Sequence, residues 1–303
     1  MIEWLFEPFS LGFIQNALKE LLLISVLSGV VGTFVVLRGI AFIVDGLSHA
    51  ILPGVAIALL VGGDRFLGAF LAALAVTALI SLASRNTRVS EDSAIGIFFT
   101  GAFSLGVILV TIALSGKSRK GSSADILFGQ LFGVSDQDLL STLLVGGFVA
   151  MVFLALRKEL ILSSFDPSMT RAMGFSGLGL DLVLYLGVAL TVVVTLPAVG
   201  NILALAFLIT PAATARLLTD RLYQMMSLSV VIAALASLIG LYLSYYISLA
   251  GGATVVTVST LLFLLALILS PQHGLVASLL QHRTEKYHDS ENGKPYETLK
   301  ERS

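Results

Sequence analysis

Apolar stretches of about 20 residues, separated by short segments that hold nearly all the charge, run through most of this 303-residue chain. A helix rising about 1.5 Å per residue needs about 20 apolar residues to cross the roughly 30 Å hydrocarbon layer of a bilayer. The pattern predicts crossings near residues 17–37, 39–61, 66–84, 93–114, 139–156, 178–197, 199–218, 224–249 and 254–270. The 178–218 stretch reads either as two helices bent at Pro197 and Gly200 or as one long broken element, so eight or nine crossings are expected. Only 12% of the residues are charged and 56% are hydrophobic, against about 25% charged in soluble globular proteins. A soluble core of this size would have nothing left to cover its surface. The predicted fold class is an all-α polytopic membrane protein. Residues 1–270 form one transmembrane domain, and residues 271–303 form a polar cytoplasmic tail with equal numbers of acidic and basic side chains.

Charge bias orients the crossings. Placing Arg38, Arg85, Arg88, Arg157, Lys158, Arg171, Arg216, Arg221 and the tail in the cytoplasm puts 13 of the 18 Lys/Arg inside, as the positive-inside rule favours. Nine spans then run from an outer N-terminus to an inner C-terminus. The basic loop Lys117–Lys120 is the exception on the outer side. The first ten residues carry Glu3 and Glu7 and no basic residue, so they read as an interfacial segment with Trp4, Phe6 and Phe9 at the water boundary, not as a cleaved signal. The absence of cysteine excludes disulfides, thiolate metal sites and cysteine nucleophiles. A net charge of −1 gives no pointer to nucleic acid.

One run breaks the apolar pattern. Between Gly39 and Val61 stand Asp45, Ser48, His49 and Pro53. An Asp in the middle of a span costs about 2.5–3.5 kcal/mol on insertion scales, so it needs a partner or a function. Asp45 and His49 are four apart and share a helix face. His49 is also the only histidine before the tail, whose own are His273, His282 and His288. Carboxylate plus imidazole suits a borderline divalent ion such as Mn²⁺, Fe²⁺ or Zn²⁺. Two ligands are too few for a good site, and a symmetry mate would supply two more. The competing account is an Asp–His hydrogen bond that satisfies itself inside a helix bundle. Pro53 lacks an N–H and so releases the carbonyl of His49, the residue four before it. Ser48 and His49 are adjacent, diverge by about 100° on a helix and cannot form a nucleophile–base pair.

Gly116-Lys117-Ser118 suggests a phosphate loop, but position 111 is threonine where that motif needs glycine. No nucleotide-binding module is present in the sequence, so any use of ATP belongs to a partner. The segment Asp166, Pro167, Met169, Arg171, Ala172, Met173, Gly174 has an N-cap, a proline at the first helical position and a glycine past the end. It predicts a helix of under two turns, fit either to dock in another protein's groove or to serve as an interfacial turn. Ser90-Glu91-Asp92 reads as acidic residues favouring a helix dipole. Thr210, Pro211 and Thr214 either line a pathway or pack a kinked helix. Ser25/Gly29 and Ser28/Gly32 have the small-residue spacing of close helix contacts, read as packing within one subunit. Ile126–Val134 is too short to span.

Four of these stretches together resemble one family, the membrane permease of manganese/zinc/iron-type ABC importers. They are Val36 to Gly54, Ser90 to Ile97, Asp166 to Gly174 and Gly200 to Arg216, within a match running from about residue 10 to 270. The resemblance implies a type II, cobalamin-importer-like permease fold in a bacterial plasma (inner) membrane. It implies a non-catalytic chain working as a homodimer with two cytoplasmic ATPase subunits and an extracytoplasmic metal-binding protein. In that family the second-span Asp and His, here Asp45 and His49, are thought to form a metal site on the pathway, and Asp166–Gly174 matches the ATPase-coupling helix. No cofactor is implied beyond the transported Mn²⁺, Zn²⁺ or Fe²⁺. The proline in Ser-His-Ala-Ile-Leu-Pro-Gly leans toward manganese/iron-type members. Val44-Asp45-Gly46 departs from the more usual Gly-Asp-Ala without changing the ligands. The alternative is a proton-coupled secondary metal transporter in which Asp45 and His49 titrate.

Overall fold

The computed structural model describes residues 10–84, 88–114 and 131–270, and within these all regular structure is helical. The expected interfacial residues Trp4, Phe6 and Phe9, the Gly116–Lys120 stretch, residues 126–130 and the tail lie outside the described residues.

The first span, α1 (Gly12–Arg38), ends at Gly39, whose φ of 73° lies in the left-handed region that favours glycine. The next crossing is broken in two: α2 (Ala41–Ala50) and α3 (Leu52–Val61) meet at Ile51, with Pro53 in the first turn of α3. The break follows from the proline, and the carbonyl that it releases on His49 is taken up by the Ile51 N–H. Asp64 caps α4 (Arg65–Ala83), accepting the Leu67 N–H at 2.8 Å. The span α5 (Glu91–Leu114) follows. The fifth crossing starts earlier than its hydropathy suggests, at a Ser135–Asp138 capping box. It comprises α6 (Asp136–Ser141), a π-helical turn at Thr142–Gly146 and α7 (Gly147–Ala155). Then come the short α8 (Arg157–Phe165) and α9 (Pro167–Ala172), followed by α10 (Gly177–Leu196), α11 (Leu203–Leu218), α12 (Leu222–Ile247) and α13 (Gly251–Leu269).

Eight of these crossings are long and apolar enough to span a membrane, and α11 is a shorter apolar helix. The open alternative at 178–218 is resolved at Gly200, where φ 72° and ψ 172° break the helix. Asp181 near the start of α10 meets Arg38 at the end of α1, whereas Val194 near its end lies by Thr142 and Glu20. The chain then returns. Leu203 and Ala204 join Ile14, Ala17 and Leu21 in one apolar cluster, and Ala212 and Ala215 pack with Val36 and Leu37 in another. So α10 and α11 run in opposite directions, and the charged ends of α1, α5 and α10 lie on one side of the bundle.

Small residues set the closest helix contacts, and they do so within the chain. Ser25 Oγ lies 3.4 Å from Ser237 Oγ of α12, and Ser28 donates to the Phe207 carbonyl of α11. A Cβ on Gly29 would collide with Val230, and one on Gly32 with the Leu208 carbonyl. The same close approach joins α3 to α4, where Gly54 and Gly68 face each other's backbone. Pro211 and Thr214 are buried, so they pack α11.

Candidate metal site and the exposed short helix

Asp45 and His49 lie on α2 with Oδ1 and Nε2 3.7 Å apart. That separation lies within ion-pair contact and beyond direct hydrogen-bond range. Their side chains are 37% and 30% exposed, respectively, which places them on a face of the bundle and not in its core. Because the helix starts at Ala41, Asp45 sits only about 6 Å along it, nearer the Arg38 end, whereas His49 at about 12 Å lies close to the middle of the Ala41–Val61 crossing. Ser48 faces inward, buried, its hydroxyl bonded to the Asp45 carbonyl at 2.8 Å.

The wall opposite is α5. The His49 ring lies 5.8 Å from Phe99 and 5.2 Å from Phe103, the latter edge-on, and Phe42 meets Phe99 at 6.3 Å. This approach is possible because Gly46 lets α2 settle against Ile95 and Phe99. Of the eight long crossings, α5 buries the smallest share of its residues; Ile97, Phe103 and Ile108 are exposed. Among the described residues no group of three or more His, Cys, Asp or Glu side chains is arranged to hold a metal. One copy therefore offers a two-donor, half-exposed site walled by aromatic rings. A cleft of about 600 Å³ lined by Lys19, Leu22, Leu23, Val26, Asp136, Leu139, Leu140 and Leu143 lies toward the other end of α1 and includes neither donor.

The short helix α9 has the predicted local chemistry. Asp166 caps it, accepting the Met169 N–H at 2.9 Å and the Ser168 hydroxyl at 2.5 Å, and these bonds hold its carboxyl below the usual range. Thr170 turns inward and is buried, whereas Met169, Arg171, Ala172 and Met173 are exposed, with the two methionines 48% and 56% accessible. Gly174 takes φ 83° and ends the turn. The structure keeps this helix apart from Asp45 and His49: it projects from the Arg38 end of the bundle, between α8 and α10.

Two polar groupings escaped the sequence reading. Arg38, Glu91, Asp181 and Tyr185 meet at the Arg38 end; Arg38 Nη2 donates to Asp181 Oδ1 at 2.6 Å, and its Nε lies 3.8 Å from Glu91. Glu91 thus does more than favour a helix dipole. At the opposite side, fully buried Glu20 accepts the Thr142 hydroxyl at 2.7 Å where the fifth crossing turns π-helical. Glu20 is the lone carboxylate inside the first span, which was the available signal.

The family model described as the ABC 3 transport family matches residues 10–270. The chain is 40% identical over 270 residues to the manganese transport system membrane protein MntC of Halalkalibacterium halodurans, covering 88% of this chain and 90% of that protein. It is 34% identical over 270 residues to the probable iron transport system membrane protein of Haemophilus influenzae, covering 89% and 98%. Among solved structures, PsaBC from Streptococcus pneumoniae in complex with Fab matches with a TM-score of 0.79 at 34% identity, over 93% of this chain and 100% of that one. An inward-facing putative metal-chelate type ABC transporter shares the fold, with a TM-score of 0.62 at 18% identity over 82% and 84%. The chain therefore belongs to the ABC 3 transport family and is a multi-pass membrane permease of the type II fold.

Proposed function

We propose that this chain is the permease subunit of an ATP-driven importer of divalent metal ions, with manganese as the favoured cargo and iron or zinc as alternatives. The observation that carries the reading is the Asp45–His49 pair, two hard-to-borderline donors held 3.7 Å apart on a half-exposed face, where among the described residues no group of three or more His, Cys, Asp or Glu side chains is assembled. A second copy related by a two-fold axis brings two more and completes a four-donor site. Relatives named for manganese and iron transport support the cargo class, and oxygen plus imidazole donors suit it.

An extracytoplasmic binding protein delivers the ion to the outer mouth of the dimer. At Asp45 and His49 the protein replaces part of the hydration shell, weakly enough for release onward. Phe42, Phe99 and Phe103 exclude water around the donors, which strengthens their hold on the ion. Cytoplasmic ATPase subunits seat the exposed methionine face of α9 in a groove, and their closure switches access from one side to the other.

The test is uptake of Mn²⁺, Fe²⁺ and Zn²⁺ into vesicles carrying this chain with its candidate ATPase, with and without ATP, and with His49→Ala. Uptake that requires both ATP and His49 is the expected result, and the fastest ion names the cargo. Uptake indifferent to ATP but collapsed by dissipating the proton gradient would replace the importer with a proton-coupled carrier.

A further inference from the structure

We infer that Arg38 is the positioning residue through which motion of α9 reaches both walls of the metal site, with Asp181, Glu91 and Tyr185 as the contacts that carry it. The inference rests on the importer reading above and adds the physical connection which that reading lacks.

The connection can be followed bond by bond. The short helix α9 is tied to the start of α10 by the Phe175 N–H, which donates to the Thr170 carbonyl at 3.1 Å. Ser176 then caps α10 through the Gly179 N–H. Asp181, just over one turn into α10, accepts Arg38 Nη2 at 2.6 Å. Arg38 is the last residue of α1, and beyond it the chain has little freedom: the Ile40 N–H bonds Val35 O at 3.1 Å and the Ile43 N–H bonds Ile40 O at 3.0 Å. Ile40, Ile43 and Val44 are buried. A displacement of Arg38 is therefore passed to α2 and to Asp45, two turns on.

The same guanidinium holds the second wall. Its Nε faces Glu91, the first residue of α5, at 3.8 Å. Two turns later α5 carries Phe99, and then Phe103, against the His49 ring. The hydroxyl of Tyr185, which is fully buried on α10 one turn beyond Asp181, donates to Glu91. The Arg38 guanidinium also lies over the Tyr185 ring, 5.7 Å from its centre. Thus α10, the helix that follows α9, grips the root of α2 through Asp181 and the root of α5 through Tyr185, with Arg38 between them. At 14% exposure the Arg38 side chain sits where charge pairs are weakly screened. These bonds move as one body, or break as one, which is the requirement for switching between discrete arrangements.

A purely architectural staple would predict a different result. If the cluster only holds the bundle together, weakening it lowers the amount of folded permease and reduces uptake and hydrolysis together. If it couples, weakening it separates the two. The experiment reconstitutes the complete complex, permease with its ATPase, in vesicles and measures metal delivered per ATP hydrolysed for the unsubstituted protein, Tyr185→Phe, Asp181→Asn and Arg38→Lys. Tyr185→Phe removes one buried hydroxyl and keeps the ring, so it folds and keeps the comparison decisive even where a charge variant does not assemble.

The expected result is that basal ATP hydrolysis and the yield of assembled complex stay as in the unsubstituted protein while metal delivered per ATP falls roughly tenfold. An unchanged ratio, whether both rates are normal or both fall in proportion, overturns the latch and leaves the importer reading standing. Unsubstituted complex that shows no ATP-driven uptake overturns both.

Discussion

Asp45 and His49 are held apart by the helix geometry that places them side by side. A four-residue spacing aligns them, the buried Ser48 between them fixes which face of α2 is presented, and 3.7 Å leaves room for an ion to bridge both donors. Asp45→Asn retains shape but loses the charge, and His49→Ala removes the imidazole. Each is expected to abolish ATP-driven metal uptake while leaving the amount of folded protein unchanged, read by uptake beside size-exclusion chromatography. Gly32 offers a contrasting residue-scale prediction, because a Cβ there meets the Leu208 carbonyl, which belongs to helix backbone and cannot swing away. Gly32→Ala is expected to destabilise the bundle by about 1–3 kcal/mol, seen as a lowered Tm in detergent with the proposed metal site chemically intact.

At the scale of the element, α9 is a six-residue helix that cannot persist on its own propensity. Its stability comes from the Asp166 cap, from Pro167 in the first turn and from Thr170 turned into the bundle. The carboxyl of Asp166 is held below its usual 3.8, first by the Ser168 hydroxyl and then by the Met169 N–H. A depressed folded-state pKa stabilises above the unfolded value and is lost as pH falls through the folded one. The proposed coupling through α9 is therefore expected to be flat across neutral pH and to fail only on acidification below the ordinary carboxylate range. Asp166→Ala should weaken ATPase association at all pH values, while Asp166→Asn, which keeps an acceptor, should bind and lose the acid dependence. Co-purification of the ATPase across a pH series checks both. The paired halves α2 and α3 show the same economy: Gly39 ends α1 so that α2 starts at Ala41 and keeps Asp45 toward the Arg38 end, and one proline makes the break at Ile51.

For the whole molecule, the apolar face left on α5, with Phe42 of α2 beside it, is where the proposed second copy packs. The chain contains no cysteine, so a single introduced thiol can form a disulfide only between copies. Phe42→Cys and Phe103→Cys, beside His49, are expected to give an oxidised dimer on non-reducing gels. Leu261→Cys, exposed on α13, which is not in the α2–α5 wall, is expected to stay monomeric. Dimer formed equally by all three would place the two-fold axis elsewhere.

The sequence by itself determined the spans, because a bilayer demands about 20 apolar residues per crossing whatever the fold. It determined the Asp45–His49 pair too, because charge inside a span is expensive enough to stand out, and α9, because capping chemistry is local. Other features needed the tertiary structure. Arg38 and Asp181 are 143 residues apart, and each stands at a helix end where charge is ordinary, so neither announces the other. Glu20 and Thr142 meet across 122 residues. Pro197 and Gly200 allowed either one broken helix or a reversal, and only the packing of Ala212 and Ala215 against Val36 and Leu37 shows that the chain turns back. Periodicity, capping and insertion cost act along the chain and leave their mark in it. Which helix ends meet is decided by how close-packed surfaces fit, and that depends on every helix at once.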